Sequence, residues 1–343
     1  PDWLDTSRGI FGTGEEISKE VEIGGKKIFD DNEIYEKELN KDLKIRLKNN
    51  FKKNSFVNNL TNNNGLINFE RKLKQVSKYR FNKNEKLKKV SKYKFKKIRQ
   101  FEFSQPELLI TNRSSIVFFN NKGTILNFDQ ESKIIWKKNI YLKKERKNNP
   151  ILYFAANDKI LIVTDNFAKY YGISLTNGEL IWSNTNSSPF NSQVKVYKNN
   201  FFTVDSENIL RCFSLNDGKE LWNFKTEKSF IKSQQKLSLT VSDNRIIFIN
   251  TLGDVSAIDI NSGNLQWQTP TQSSAIYENS FSLKNSDLIY ANNSIYFSNN
   301  KNMFFALDEK TGVIQWTQTI NSNLRPTFTG GLLFTVTIEG YLV

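Results

Sequence analysis

The sequence predicts an all-β fold, a β-propeller built from four-stranded blades. Three observations predict this fold: a motif ending in Trp recurs along the chain, each copy has the turn chemistry of a β-hairpin, and a short apolar segment precedes each copy. Successive motif Trp residues lie 46, 40, 45 and 49 residues apart, the range in which one repeat forms one four-stranded blade. These residues are Trp136, Trp182, Trp222, Trp267 and Trp316.

Each motif is predicted to form a β-hairpin. A strand ends at a Ser or Asp eight residues before Trp, and that side chain can accept hydrogen bonds from the amides of the turn. A glycine four residues before Trp takes the positive-φ position that a short hairpin loop needs. The glycines are Gly178, Gly218, Gly263 and Gly312, and the capping residues are Ser174, Ser214, Asp259 and Asp308. A fifth copy, ending at Trp136, keeps an Asp but is one residue shorter and lacks the glycine.

A small residue precedes each of the last four Trp residues by ten positions. These residues are Gly172, Cys212, Ala257 and Ala306. Because Trp has the largest side chain to bury, we expect the small residue to leave room for its ring. Cys212 is the chain's lone cysteine, and its place in this position predicts a buried structural thiol rather than a reactive one.

Five apolar segments are predicted to be equivalent inner strands, because both of their faces are mostly apolar. They span residues 115–119, 159–163, 200–204, 245–249 and 294–297. Residues 335–343 start a further blade, so the propeller, residues 101–343, is predicted to show five blades and part of a sixth. The chain begins at Pro1 and stops within a strand pattern. We therefore expect it to be a fragment of a longer protein.

Charge divides the chain into three predicted regions. Residues 1–40 hold 5 basic and 11 acidic residues and form a predicted Gly-containing tail with short strands. Residues 41–100 hold 20 basic and 3 acidic residues, and residues 49–64 within them form a predicted Asn-rich, polar connector. Residues 101–343 hold 24 basic and 21 acidic residues. The propeller is nearly neutral, so we do not expect it to bind nucleic acid.

A tighter repeat lies in the basic region, where residues 72–81 return as residues 86–95. Alternation of apolar and basic residues predicts two strands joined by a polar turn. One interpretation is an edge hairpin whose lysines block edge-to-edge pairing. The alternative is a contact between residues 72–97 and an anionic surface, above all membrane lipid, because aromatic residues alternate with Lys and Arg.

The pattern Ala-x-Asp-x-x-Thr-Gly-x-x-x-Trp, complete at Ala306 to Trp316, resembles the repeat of the PQQ-type (quinoprotein-like) β-propellers. The resemblance covers about 240 residues and implies a propeller that usually has eight blades. The family includes quinoprotein alcohol dehydrogenases and BamB-type lipoproteins of the outer-membrane β-barrel assembly machinery. The acidic N-terminal segment, Gly9 to Glu16, is more similar to the BamB type.

The residue inventory argues against an enzyme. The sequence contains no His, which excludes a His general base, a Ser-His-Asp triad and His-based zinc sites among these residues. Quinoprotein dehydrogenases bind their quinone beside a disulfide of adjacent Cys residues and a calcium ion held by acidic residues, and neither motif is recognisable here. We therefore expect no catalytic residue, no cofactor and no metal. A PQQ-dependent dehydrogenase remains the alternative within this family.

The remaining prediction is a binding scaffold that contacts its partner through the loops between blades. Three loops carry an apolar or Arg residue that a solvated loop does not need, and such residues are typical interface anchors. The candidates are Phe190, Phe230, Ile231 and Arg325; the alternative for the apolar ones is packing under their own blades. BamB-type proteins bind their barrel partner through loops on one propeller face.

The resemblance therefore implies a scaffold that assists insertion of outer-membrane β-barrel proteins. Its partner would be the periplasmic region of the barrel-assembly protein, and the chain would act as a single copy within a larger complex. It would lie on the periplasmic side of the bacterial outer membrane, with a lipid anchor if a lipobox Cys precedes Pro1. The competing prediction is a module that reads an anionic surface through residues 72–97.

Overall fold

The computed structural model describes residues 57–58, 62–66, 108–111, 113, 115–120, 122–129, 133–227, 236–242, 244–272 and 284–343. All of them belong to one compact unit, which spans residues 46–343. The predicted acidic tail (1–40) and the predicted basic hairpin (72–97) lie outside the described residues. In the described part of the chain, no helix has the length and apolar content needed to cross a membrane.

Five antiparallel four-stranded sheets follow one another along the chain, and each keeps its strands in sequence order. Blade 1 comprises β1 (Leu109–Ile110), β2 (Ile116–Phe119), β3 (Ile125–Phe128) and β4 (Ile134–Lys138). Blade 2 comprises β5 (Leu152–Ala156), β6 (Ile160–Asp165), β7 (Lys169–Ser174) and β8 (Leu180–Thr185). Blade 3 comprises β9 (Phe190–Tyr197), β10 (Asn200–Asp205), β11 (Ile209–Ser214) and β12 (Glu220–Lys225).

The last blades repeat this arrangement. Blade 4 comprises β13 (Leu239–Val241), β14 (Arg245–Ile249), β15 (Val255–Asp259) and β16 (Leu265–Thr269). Blade 5 comprises β17 (Ile289–Ala291), β18 (Ser294–Asn299), β19 (Met303–Asp308) and β20 (Ile314–Gln318). The hairpin of β21 (Thr327–Thr329) and β22 (Leu332–Phe334) begins blade 6. This arrangement confirms the all-β propeller prediction, but the sixth blade starts at Thr327 rather than at residue 335.

The predicted inner strands are the second strands of their blades, β2, β6, β10, β14 and β18. The innermost position belongs to the first strands, because the first strands of blades 2 to 6 contact one another in succession. First strands are less apolar than the prediction assumed. In β9, Ser192, Gln193 and Lys195 are all buried. Buried polar residues need hydrogen-bond partners, and Gln193 Oε1, for example, accepts from the Ser238 hydroxyl at 3.1 Å.

The hydrophobic core lies between adjacent blades. One cluster joins Tyr153 and Tyr170 of blade 2 to Phe190, Phe201 and Phe213 of blade 3. The ring centroids of Tyr170 and Phe213 are 4.7 Å apart, and those of Phe201 and Phe213 are 5.0 Å apart. Equivalent clusters join blades 1 and 2, 3 and 4, and 4 and 5. Stacking of twisted sheets around one axis therefore buries both faces of most blades.

Each of the first four motif Trp residues contacts the motif turn of the following blade. The indole Nε1 of Trp267 donates to the carbonyl of Glu309, at 3.0 Å, just after the third strand of blade 5. The equivalent bonds run from Trp136 to Leu175, from Trp182 to Leu215 and from Trp222 to Ile260. Within its own blade the Trp stands opposite the small residue, as Trp222 does opposite Cys212. The repeat motif is therefore a joint between blades.

The motif glycines lie against the Trp of the preceding blade. Gly263 has φ +75° and an added Cβ would stand 2.8 Å from the Trp222 ring. Gly178, Gly218 and Gly312 repeat this contact with Trp136, Trp182 and Trp267. Trp316 has no later copy of the motif turn in this sequence to contact, and 39% of it is exposed, against 9% of Trp267. The four motif Trp residues that contact a following turn are buried or half-buried, whereas Trp316 is exposed.

Gly263→Ala is expected to lower the free energy of unfolding by more than Gly331→Ala. Both glycines have positive φ, at +75° and +81°, so both variants lose about 1 kcal/mol to backbone conformation. An added Cβ meets nothing within 4 Å at Gly331 but meets Trp222 at Gly263. We therefore expect a further loss of about 1–3 kcal/mol from overpacking at Gly263. Urea denaturation of the two variants measures the difference. Equal losses of stability would contradict the close packing of the motif turn against the Trp of the preceding blade.

Candidate partner-binding face

Strand direction gives the propeller two different faces. One face, the motif face, carries the turns between strands 1 and 2 and between strands 3 and 4, including the motif turns. The other, the loop face, carries the turns between strands 2 and 3 and the connections from one blade to the next. The predicted loops at residues 186–191 and 323–326 therefore belong to the loop face. Its geometry depends on the turns that hold it in place.

The turns of the loop face share a capping pattern that the sequence motifs did not reveal. The side chain at the first position of the turn accepts backbone N–H bonds, and the fourth residue has positive φ. The first positions are Asn120, Asp165, Asp205, Asn250, Asn299 and Thr337. The fourth positions are Gly123, Ala168, Asn208, Gly253, Asn302 and Gly340. Local side-chain caps of this kind make rigid turns, so the loop face is preorganised.

In blade 2 the capping carboxylate also anchors a connection between blades. Asp165 accepts the amides of Phe167 and Lys169 and the hydroxyl of Tyr141, the last at 2.6 Å. Burial raises the pKa of Asp165, although these hydrogen bonds oppose the shift. Burial, together with the charge of Asp165, raises the pKa of Tyr141 as well. Tyr141 thus fixes the start of the connection from blade 1 to blade 2.

In blade 3 the capping carboxylate forms a buried ion pair. Asp205, which is fully buried, accepts from Arg211 Nε at 2.8 Å. Arg211 also donates to Glu220 at 2.6 Å and to the Ser187 hydroxyl at 3.2 Å. The two carboxylates raise the pKa of Arg211, while desolvation opposes the shift. The network joins the connection that follows blade 2 to the body of blade 3.

Two leucines protrude from the connections between blades on the loop face. Leu142, between blades 1 and 2, is 71% exposed, and Leu324, between blades 5 and 6, is 50% exposed. Leu142 is followed by Lys143, Lys144, Arg146 and Lys147. An exposed apolar residue on a fixed connection is a candidate interface anchor.

The structure places the binding residues predicted from the sequence in different environments. Phe190 is 1% exposed and packs edge-on against Tyr170 at 5.7 Å, because β9 begins at this residue. The prediction that Phe190 binds a partner is therefore wrong, since its ring is part of the core between blades 2 and 3. Arg325 lies beside Leu324 on the loop face and pairs with Asp287 at 3.7 Å. Phe230 and Ile231 lie outside the described residues.

Sequence reasoning missed Leu142 and Leu324 as anchors. The available signal was an apolar residue standing next to basic residues within a connection, as Leu142 stands beside Lys143 and Lys144. That signal is weak, because basic residues are common throughout this sequence. What separates these leucines from core residues is their exposure, which is a property of the folded chain.

The described residues provide neither a metal-binding group nor a reactive thiol. They contain no group of three or more Cys, Asp or Glu residues placed to hold a metal ion. Cys212 is buried, and burial raises the pKa of its thiol to about 12. At neutral pH it is therefore protonated, as expected for a structural thiol.

A family model described as outer membrane protein assembly factor BamB matches residues 121–343. This range includes blades 2 to 5, the last two strands of blade 1 (β3 and β4) and the start of blade 6. It also includes Leu142 and Leu324 on the loop face. No curated protein matches the sequence.

Solved structures show the same fold at low sequence identity. BamB from Moraxella catarrhalis is 14% identical, with a TM-score of 0.52 over 68% of this chain and 70% of that protein. The computationally designed Ika8 protein is also 14% identical, with a TM-score of 0.56 over 68% of each chain. Quinohemoprotein alcohol dehydrogenase from Comamonas testosteroni is 10% identical, with a TM-score of 0.50 over 64% of this chain and 43% of that enzyme. At these identities the likeness concerns the fold.

Proposed function

Since the chain belongs to the family of outer membrane protein assembly factor BamB, we propose that it is a non-catalytic scaffold for the assembly of outer-membrane β-barrel proteins. In this proposal it works on the periplasmic side of the outer membrane. Its partner is the periplasmic region of the barrel-assembly protein, which binds the loop face. The observation that carries the proposal is the family match, which covers the anchors of that face.

The loop face supports this role through its rigidity. Side-chain caps hold its described turns, and Tyr141 and Arg211 tie two of its connections to buried carboxylates. A preorganised surface loses little conformational entropy when it binds, so few anchors suffice for specific docking. Leu142 and Leu324 provide apolar area, and Arg325 provides a planar cation beside one of them. Leu and Arg at such places bury area and bind acidic groups of a partner.

A photoactivatable amino acid at Leu324 or Leu142 is expected to crosslink the barrel-assembly protein in cells that produce the full chain. Leu221 is a matched control because it is 53% exposed but lies on the outer strand β12. Leu221 is therefore about as exposed to solvent as Leu324, but it does not lie on the loop face. Crosslinks from Leu221 with none from either loop-face position would contradict the proposed docking surface.

A further inference from the structure

Residues 57–58 and 62–66 lie against the first strands of blades 2 to 6. We refer to these residues as the strap. Val57 is fully buried, and the side chains of Asn58 and Asn62 are almost fully buried as well. Polar residues buried to this extent need hydrogen-bond partners. The partners of the strap come from five successive blades.

Backbone carbonyls of the strap accept hydrogen bonds from the edges of four first strands. Val57 accepts from Ala156 of β5 at 3.0 Å, and Asn58 accepts from Val196 of β9 at 3.1 Å. Asn63 accepts from Tyr290 of β17 at 2.9 Å. Asn64 accepts from Phe328 of β21 at 2.8 Å. The strap therefore pairs with blades 2, 3, 5 and 6 through main-chain groups.

Two asparagine side chains add specificity to this main-chain pairing. Asn63 Nδ2 donates to the carbonyl of Val241 on β13, and its Oδ1 accepts from the Thr240 hydroxyl at 3.2 Å. These bonds connect the strap to blade 4. Asn58 Nδ2 donates to the carbonyl of Phe154 on β5 at 2.8 Å. Asn has both a donor and an acceptor, so it satisfies edge groups that an apolar side chain would leave unpaired.

The surface that binds the strap continues into a cavity beside it. A cavity of about 550 Å³ opens beside Asn63 and Asn64, between the first hairpins of blades 4, 5 and 6. Its lining includes Ser242, Asn292 and Thr329, and none of its lining residues is charged. The contacts at Ala156 and Val241 are at the last residues of their strands. The strap and the cavity thus lie toward the motif face, away from the loop face.

We propose that the inner edges of the first strands form a peptide-binding site, and that the chain's own strap occupies it. The site takes an uncharged segment that turns, since Asn58 and Gly65 have positive φ and the Gly65 amide donates to the Asn62 carbonyl, with asparagines placed as Asn58 and Asn63 are placed. Recognition is by addition of main-chain hydrogen bonds to strand edges, with buried amides selecting the sequence. Because the strap is covalently attached, its effective concentration is of millimolar order and exceeds that of a free peptide.

The test uses the full chain with Asn58→Ala and Asn63→Ala, which remove three side-chain hydrogen bonds of the strap. Asn148→Ala, at an exposed position, is the control. Hydrogen exchange is followed at Ala156, Val196, Tyr290 and Phe328. We expect exchange at all four amides to rise together by about tenfold or more in the double variant, since loss of buried hydrogen bonds weakens the strap. Exchange that rises in a single blade, or not at all, would overturn the proposal.

A labelled synthetic peptide of residues 55–67 provides the second measurement. It is expected to bind the double variant saturably at a ratio of one to one, and to bind the unsubstituted chain about tenfold more weakly or worse, because the native strap fills the site. A peptide carrying the same two Ala substitutions should not bind. Equal binding to both proteins, or no binding to the double variant, would contradict the site. If the double variant does not fold, Asn63→Ala carries both comparisons.

Discussion

Trp267→Ala is expected to lower the free energy of unfolding by about 3–5 kcal/mol, the range for removal of a buried aromatic side chain. Trp267 is 9% exposed, packs against Gly312 of the next blade and donates to the Glu309 carbonyl at 3.0 Å. Its removal creates a cavity at a joint between blades and leaves that carbonyl without the indole. Both effects reduce stability.

Trp316→Ala is the matched comparison, because Trp316 stands in the same motif position but is 39% exposed. We expect its loss to reduce the free energy of unfolding by roughly half as much or less, since part of its ring already contacts water. Chemical denaturation monitored by far-ultraviolet circular dichroism measures both variants. Similar losses would mean that contact with the following turn does not determine the contribution of the motif Trp.

Arg211→Met is expected to cost about 3–5 kcal/mol of stability, because removal of one partner leaves a buried charge uncompensated. Asp205 is fully buried, and Arg211 Nε is 2.8 Å from it. Met keeps much of the apolar stem of Arg211 while removing the cation. Thermal and urea denaturation at neutral pH give the size of the loss.

Two further variants show whether the buried charge is the cause. Lys219→Met removes an exposed pair, with the side chains of Lys219 80% and Asp217 45% exposed, and should change stability by less than about 1 kcal/mol. Addition of Asp205→Asn to Arg211→Met should restore most of the loss, because Asn already caps the equivalent turns of blades 1, 4 and 5. A double variant that stays as unstable as Arg211→Met would show that lost packing of the Arg211 stem, not the buried charge, is the cause.

The blades were predictable because their signals are local. A Gly and a Trp at fixed spacing specify a hairpin and a large side chain to bury, and the glycine recurs at Gly178, Gly218, Gly263 and Gly312. What the spacing did not reveal is the partner of each Trp, which lies in the next blade. The capping pattern of the loop face was missed for another reason. The first position of the turn is Asn, Asp or Thr, and the fourth position is Gly, Ala or Asn. No single residue type therefore marks this repeat in the sequence.

The contacts of the strap and the anchors of the loop face could not be predicted from the sequence. Residues 49–64 have the composition of a polar connector, yet Asn58 and Asn63 are buried because their partners are main-chain groups on distant strands. Composition carries no signal for partners of this kind. The polar residues around Phe190 indicate a loop, although β9 already begins at that residue. Interface residues such as Leu324 are distinguished by exposure, which depends on the assembled fold.

The loop-face hypothesis differs from its competitor, binding of an anionic surface through residues 72–97, in its dependence on salt. Docking by Leu142 and Leu324 relies mainly on buried apolar area, and moderate salt weakens such docking little. Contacts between lysines and lipid phosphates are screened as ionic strength rises. The two hypotheses therefore predict different responses to salt: little change for docking through the loop face, and weaker binding for contact through residues 72–97.

A pull-down from a solubilised envelope at low and moderate salt is the most direct test of the proposed function. It compares the full chain, a Leu142→Asp/Leu324→Asp variant, a Leu221→Asp control and a variant lacking residues 72–97. We expect the barrel-assembly protein to be recovered with the full chain at both salt concentrations, with the control and with the deletion variant, and recovery to be lost with the loop-face variant. Recovery that survives the loop-face substitutions, or that disappears with residues 72–97 or with added salt, would contradict the proposed function.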